Sequence, residues 1–413
     1  MIVSAPEGGG IPDATLTSVD AHLATIIDAV RPLLPAEYGL AEAEGCVLAE
    51  DVAAAVPLPY FDNAAMDGYA VVASDISSAS ERRPVTLPVT ASIAAGDTGA
   101  YGLVEGSAIR ITTGAQLPAG ADAVVPVEWT DGDDFRVSIE QSAASGYAVR
   151  RAGEDAAAGE VLLTSGTRLR PMHIAVAASA GRSRLLVHPR PRVVVLATGD
   201  ELAEPGTPLV PGRIWDSNSY MIAAAAREAG AMAFRHTIRD DVSGVLPALE
   251  EQLMRADVLV TTGGVSMGGK HDVVKEALRD LGTVTFRKVA MQPGMPQGFG
   301  VIGPDSVPIF TLPGNPVSAY VSFQLFVRPA LGALQGTDLS LPVIRARLTT
   351  GVRSAPGKRS YLRAVLSSSS VTPLVGQGSH QVSSLGKANA LVIVPEWVNG
   401  YAEGDEADVV VLP

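Results

Sequence analysis

The chain is poor in several residue types that particular functions require. Its 413 residues contain one cysteine, Cys46, which excludes an internal disulfide and a thiolate zinc cluster and accords with a reducing compartment. Basic residues are in deficit: 31 Lys and Arg stand against 44 Asp and Glu, a formal net charge of −13. A nucleic acid or an anionic membrane surface calls for a basic face, so neither is an expected partner. An anionic ligand must instead be held by a few local groups. The start, MIVSAPEGGGIPDAT, lacks the basic and apolar segments of an export signal, and no apolar run approaches membrane-spanning length. These absences point to a cytoplasmic protein. What is present is a 47% hydrophobic composition, ample for a globular core, in a length that divides into about three or four domains.

Residues 17–31, TSVDAHLATIIDAVR, place Val19, Leu23, Ile26, Ile27 and Val30 at helical spacing, with Thr17 and Asp20 as a capping box. From Val85 to Glu140 the chain becomes short β-prone pieces separated by Gly, Pro and Asp turns. RRAGEDAAAGEVLL (150–163) and PMHIAVAASAG (171–181) return to mixed and helical character, so the β-rich stretch reads as an insertion in a mainly helical region. Between Arg192 and Gln335, β-branched runs alternate with helices, which predicts a mainly parallel, doubly wound sheet covered on both faces. A last region, 341–413, reads as a small β-barrel or sandwich.

Ligands of an open α/β sheet sit beyond the carboxyl ends of its strands. ATGDE ends one strand with Asp200 and Glu201. TTGGVSMGGKHD ends another, where Gly263 and Gly264 permit close backbone approach and Ser266, Lys270, His271 and Asp272 follow; His271 has no second histidine at metal-ligand spacing. TLPGNPVSA ends a third, with Gly314 at the turn and Pro316 suited to the first helical position, so that helix-terminal amides can face an anion. FDNAAMDGYAV (61–71) embeds two acids, Asp62 and Asp67, among small and apolar residues. An Asx-rich turn explains this stretch without any function.

FDNAAMDGYAV, RITTGAQLPAGADAVV, RRAGED, ATGDEL, IRDD, TTGGVSMG, LPGNPVSA and QGSH resemble, in this order, the motifs of the molybdopterin molybdenumtransferases, known as MoeA in bacteria and as the C-terminal part of gephyrin in animals. The resemblance implies an α/β multidomain protein. Its parts are a discontinuous helical domain (15–55 plus 148–185), an inserted β-rich domain (56–147), a doubly wound molybdopterin-binding domain (186–336) and a C-terminal β-barrel domain (340–413). It also implies a homodimer with a composite active site, in which Asp67 is delivered into the cleft of the other subunit. The implied reaction inserts molybdenum from molybdate, a substrate, into adenylylated molybdopterin and releases AMP, assisted by Mg2+ and with a molybdopterin adenylyltransferase as the supplying partner.

By the same resemblance the catalytic residues are Asp67, Thr113, Glu201, Asp240 and Asp272, of which Glu201, Asp240 and Asp272 supply oxygen ligands to the cation. Asp240 also fits an ordinary surface turn. Substrate binding falls to Gly263, Gly264, Ser266, Lys288, Pro296, Pro313, Gly314, Asn315, Pro316, Ser318, Arg363, Ser383 and Ser384. One departure matters: where many relatives read KPGKP this chain reads QPGMP, so Gln292 and Met295 replace two lysines, with Lys288, Lys358 and Arg359 as candidate substitutes. Three readings stay open: an active metal-inserting enzyme with an altered oxyanion pocket, a molybdopterin-binding carrier without that activity, and a molybdopterin adenylyltransferase.

Overall fold

The computed structural model describes residues 16–238, 242–263, 273–280 and 283–413, which form two compact units. The larger comprises 16–36, 45–47 and 187–413, and the smaller 37–44 and 48–186. In the larger unit the elements run α1 (Val19–Ala29), β1 (Arg192–Thr198), α2 (Asn218–Glu228), β2 (Met232–Ile238), α3 (Val242–Leu253), β3 (Val258–Thr262), α4 (Val273–Asp280), β4 (Val284–Lys288), β5 (Pro296–Ile302), β6 (Val307–Leu312) and α5 (Pro316–Leu334). The strands form one sheet in the order β2-β1-β3-β6-β5-β4. The first four are parallel, and β5 and β4 are antiparallel additions.

The β-branched run of β1 is buried on both faces, as a central parallel strand must be. Val193 and Val195 join a core with Ile26 of α1, Ile222 of α2 and Phe326 of α5. Val194 and Leu196 join the opposite core with Val245 and Leu249 of α3 and Val274 and Leu278 of α4. The period-two alternation of one strand thus builds a three-layer α/β/α arrangement. Helix α5 is 19 residues long and apolar enough to cross a membrane by length and composition, yet 83% of its most apolar window is buried within the unit. Gln324 and Arg328 break up its apolar run in the sequence; Arg328 pairs with Glu228 of α2 and donates to the Leu339 carbonyl.

Downstream, Val343–Leu348, Arg359–Ser367, Ser370–Pro373, Ala390–Val394 and Glu406–Val411 pair in a ring closed by Arg359–Ser367 against Ala390–Val394, so the region is a barrel. Small residues fill its interior: Ala346, Ala364, Ala390 and Ala407 pack with Leu348, Val371, Val392 and Val409. The smaller unit is built on a five-stranded sheet of Gly68–Val71, Val85–Ile93, Ala108–Ile111, Ala123–Pro126 and Arg136–Ile139. Residues 148–186 contribute one helix, Pro171–Ser179, and short strands such as Val149–Arg150, paired with Asn63–Ala64.

Helix α1 departs from its sequence pattern in an informative way. Its cap is Ser18, whose hydroxyl accepts from the Ala21 amide at 3.1 Å, in place of the expected Thr17–Asp20 box. Asp20 is drawn away by Arg359, which holds its two oxygens at 2.8 Å each. On the buried face His22 takes a core position while Ile27 is left at the surface. The His22 ring packs edge-on against Phe326, 4.8 Å between centroids, and its Nδ1 has no hydrogen-bond partner among the described residues.

Burial, aided by the charge of Arg287, pushes His22 down to about 4 from the ordinary 6.5. The unfolded chain therefore binds the His22 proton first as pH falls, and stability is lost between pH 6.5 and about pH 4, below which no further loss follows from this group. At 1.36 kcal/mol per pKa unit the loss is about 3 kcal/mol. Calorimetry at the two ends of this window should show a larger fall in the unfolding temperature of wild type than of His22→Leu. Equal falls would show that His22 is not the group that titrates.

Candidate functional site

The connections that leave β1 and β3 run to opposite sides, since β1 is followed by β2 on one flank and β3 by β4 at the other edge of the sheet. A crevice opens at the carboxyl ends of strands where such a divergence occurs. Here β1 ends at Thr198, β3 at Thr262 and β6 at Leu312. Gly263 has a φ of +91°, and a Cβ on it would stand 3.0 Å from the Thr198 carbonyl oxygen. On Gly314 a Cβ would lie 3.7 Å from the Gly263 Cα. Three strand ends therefore converge closely; the positive φ and the 3.0 Å approach account for glycine at 263, and Gly314 lies in ordinary van der Waals contact with it.

Asn218, the first residue of α2, donates from Nδ2 to the Gly314 carbonyl at 2.7 Å and ties the third strand end to the helix. Its Oδ1 is buried without a partner among the described residues, as is the Thr198 Oγ1. Buried polar atoms are nearly always hydrogen-bonded in native proteins, so these two, of eight such atoms among the described residues, are ones that a ligand or ordered water at the crevice can satisfy. Glu201, two residues beyond Gly199, is exposed, with no side-chain hydrogen bond recorded among the described residues. A Cβ on Gly199, whose φ is +148°, would collide with that carboxylate. Of the other residues expected at the strand ends, Asp240, Gly264, Ser266 and Asp272 lie outside the described residues. Among the described residues no three His, Cys, Asp or Glu side chains cluster as a metal site.

The segment Gln292–Pro296 is pinned beneath α5. Gln297 donates from Nε2 to the Gly294 carbonyl and to Ser322 Oγ, each at 2.6 Å. Pro296 opens β5 opposite Lys288, which is exposed. Arg359 cannot replace the missing lysines: besides Asp20 it pairs with Glu396 at 3.0 Å, so its charge is already met by two carboxylates.

Arg363 is 1% exposed and spends its guanidinium on the loop that carries QGSH. Nη1 donates to the Gln381 carbonyl at 3.0 Å and Ser384 Oγ at 2.5 Å, Nη2 to the Gly376 and Gly378 carbonyls at 3.0 and 3.1 Å, and Nε to Gln377 Oε1 at 3.4 Å. All five N–H groups of an arginine are thereby committed. The fork expected to grip an oxyanion is closed on the protein itself. Burial lowers the Arg363 pKa from its ordinary value, and no carboxylate partner is recorded among the described residues. The loop so held reaches α5: the Ser379 carbonyl accepts from the Val317 amide at 3.1 Å, and Ser379 Oγ accepts from Asn315 Nδ2 at 3.0 Å. One of the helix-terminal amides expected to face an anion is therefore capped by the loop. Ser384 and Ser318 are buried, whereas Ser383 is exposed.

In the smaller unit the two acids of FDNAAMDGYAV separate in role. Asp62 accepts from the Ala152 amide at 2.8 Å and from Arg151 at 2.6 Å, bracing RRAGED against its own segment. Asp67 is exposed, and its Oδ1 accepts from the Thr113 amide at 2.6 Å and the Thr113 hydroxyl at 2.8 Å. Those two bonds hold its carboxyl below the usual carboxylate range and leave Oδ2 free of any hydrogen bond recorded among the described residues. Tyr60, Phe61 and Met66, all exposed, lie along the same stretch. The sequence reading paired neither Thr113 with Asp67 nor Asn218 with the Gly314 turn; DSNSYM shows only a helix start, and the partner of its Asn lies 96 residues away.

Replacing Arg363 by lysine keeps the charge but cannot reproduce a planar five-donor fork. Hydrogen exchange of the amides between 376 and 384 should rise by roughly one to two orders of magnitude, from the loss of about 1.5–3 kcal/mol of charge-assisted bonding. Unchanged protection would mean that the loop holds its shape without Arg363.

Comparison with known proteins accords with this geometry. The chain matches the MoeA N-terminal region (domains I and II) over residues 17–181, a probable molybdopterin binding domain over 194–333 and the MoeA C-terminal region (domain IV) over 345–412. It is 45% identical over 406 residues to molybdopterin molybdenumtransferase 2 of Mycobacterium tuberculosis, covering 95% of this chain and 99% of that one. With the molybdopterin molybdenumtransferase of Bacillus subtilis it shares 37% identity over 378 residues, 88% of this chain and 87% of the relative. A crystal structure of a molybdopterin biosynthesis MoeA protein from Pyrococcus horikoshii superposes with a TM-score of 0.80 at 32% identity, covering 96% of this chain and 99% of that one. The likeness runs through every region of the chain in one order, and the protein belongs to the molybdopterin molybdenumtransferase (MoeA) family.

Proposed function

We propose that the protein is a molybdopterin molybdenumtransferase that inserts molybdenum into adenylylated molybdopterin with release of AMP. The observation that carries this reading is the crevice at the ends of β1, β3 and β6, where the Asn218 Oδ1 and the Thr198 Oγ1 are buried without partners among the described residues. A pterin, with donors and acceptors along its edge, suits such a floor, and the glycines Gly263 and Gly314 admit a phosphate-bearing ligand close to the backbone. The buried, uncompensated charge of Arg363 behind the QGSH loop favours an anion in the vicinity without touching it.

A hard divalent cation such as Mg2+ takes oxygen ligands, and the exposed Glu201 carboxylate, bound to no side chain among the described residues, fits that preference. Asp240 and Asp272 are proposed as its companions. When bound, the cation neutralises phosphate charge and polarises the phosphoanhydride. The chain's own groups orient the substrate: Asn218 and Thr198 receive the ring, and Asn315, fixed by Ser379, stands at the third strand end. Asp67, held by Thr113, serves the crevice of a second subunit across a twofold interface flanked by Tyr60, Phe61 and Met66, and a molybdopterin adenylyltransferase supplies the substrate. The four-part division at 56, 148, 186 and 340 belongs to the same proposal. The neutral side chains Gln292 and Met295 favour a second reading, a carrier that binds molybdopterin without inserting metal.

Pure protein incubated with adenylylated molybdopterin, molybdate and Mg2+ should release AMP and yield a product that reactivates a cofactor-free molybdoenzyme. Binding of molybdopterin without AMP release would establish the carrier instead. Glu201→Ala and Asp67→Asn should each lower AMP release by about tenfold or more, the scale of a charge-assisted contact. A heterodimer of these two variants contains one crevice with both defects and one with neither, so it should have about half of wild-type activity, and a freely exchanged equimolar mixture about a quarter. No recovery under verified subunit exchange would place Asp67 in the service of its own chain or of none.

A further inference from the structure

Arg235 is half-buried on the edge strand β2, two residues beyond Ala233, which packs in the core with Ile222 and Ala226 of α2. The two residues share a face of the strand, so Arg235 also looks toward α2. Its guanidinium ties two other segments together. Nε donates to Ser219 Oγ at 2.7 Å, and Nη2 donates to Glu204 Oε2 at 3.3 Å and stands 3.6 Å from Asp216 Oδ2. Its Cζ lies 3.3 Å from the centroid of the Tyr220 ring, a cation held on an aromatic face, and the Tyr220 hydroxyl closes the cluster by donating to Glu204.

None of these groups is among the crevice residues described above, yet each is close in the chain to one that is. The Asp216 carboxylate accepts from both the amide and the hydroxyl of Ser219, which caps the first turn of α2 where Ser217 offers no side-chain bond. Asn218 lies inside the turn so closed. Glu204 follows Glu201 by three residues, and between them Leu202–Ala203 pairs with Ile214–Trp215. The Ile214 amide thereby donates to the Glu201 carbonyl at 2.8 Å and the Asp216 amide to the Ala203 carbonyl at 2.9 Å. Asp216 is 3% exposed, and a carboxylate so buried needs a compensating charge. Among the described residues Arg235 is the one cation recorded in an ion pair with it.

We propose that Arg235 is a positioning residue for the crevice: one guanidinium sets Asn218 for the pterin ring, through Asp216 and Ser219, and Glu201 for the divalent cation, through Glu204. The inference rests on the reading of the protein as a molybdopterin molybdenumtransferase for what Asn218 and Glu201 bind, and it adds a group that touches neither ligand. Lysine keeps the charge but cannot lie flat on Tyr220 while donating in two directions, so it is a partial substitute.

Steady-state AMP release by the full-length protein with adenylylated molybdopterin, molybdate and Mg2+, together with equilibrium binding of molybdopterin to the same samples, tests the assignment. Arg235→Gln should raise both the KM for adenylylated molybdopterin and the Mg2+ concentration for half-activation by about fivefold or more, and Arg235→Lys should raise each by less. Arg235→Ala should regain affinity in millimolar methylguanidinium, which can enter the space left over Tyr220. A fall in kcat with both constants unchanged is loss of folded protein and overturns the proposal, as does a rise in only one of the two. AMP release with constants untouched by Arg235→Gln leaves the enzyme and removes the positioning role. If wild type binds molybdopterin but releases no AMP, the enzyme reading fails, and the positioning role then stands on a fivefold weaker molybdopterin binding by Arg235→Gln and falls on equal binding.

Discussion

Arg363 has five N–H groups and gives all of them to the segment 376–384, and the local arrangement of the third strand end follows from that commitment. The loop has little apolar burial of its own. Held from behind by a buried cation, it presents the Ser379 carbonyl to the first free amide of α5 and the Ser379 hydroxyl to Asn315. A fixed Asn315 in turn fixes the turn whose Gly314 carbonyl Asn218 grips. The side chain that looked from its type like a ligand for an anion is instead the anchor of a chain of hydrogen bonds that ends at the crevice.

Charge is distributed by the same logic. Arg359, with two carboxylates, is locked as a strut between α1 and the barrel, and its pKa is raised by the Asp20 bond. Arg363, with neutral acceptors only, keeps a net positive field inside an acidic protein. The two arginines differ in function because of what accepts from each, since the side chain is the same.

The parts legible in the sequence were those governed by local periodicity. RVVVLAT reads as a doubly buried strand because every position is apolar or β-branched, and TLPGNPVSA reads as a strand-to-helix turn because Gly and Pro have few other uses there. The barrel was legible only as an alternative to a sandwich, since closure depends on one strand pairing, Arg359–Ser367 with Ala390–Val394, that no local pattern reports. The cap of α1 was misplaced by one residue because Asp20, an apt member of a capping box, is claimed by a residue 339 positions later. His22 was passed over as core because histidine is usually polar surface, and only the ring of Phe326 shows why it is buried. The commitment of Arg363 was hidden for a related reason: its acceptors are mostly backbone carbonyls, which every residue has.

The separation between Asp20 and Arg359 also has a bearing on how the chain is made. Helix α1 is made well before its anchors, since its packing partners on α5 and the strut to Arg359 lie far downstream in the chain. Residues 48–186, whose contacts are largely their own, can fold during synthesis. Throughout that interval Val19, Ile26 and His22 lack the α5 side chains that complete their core. A chain truncated before residue 316 would leave the apolar face of α1 without the α5 side chains that bury it.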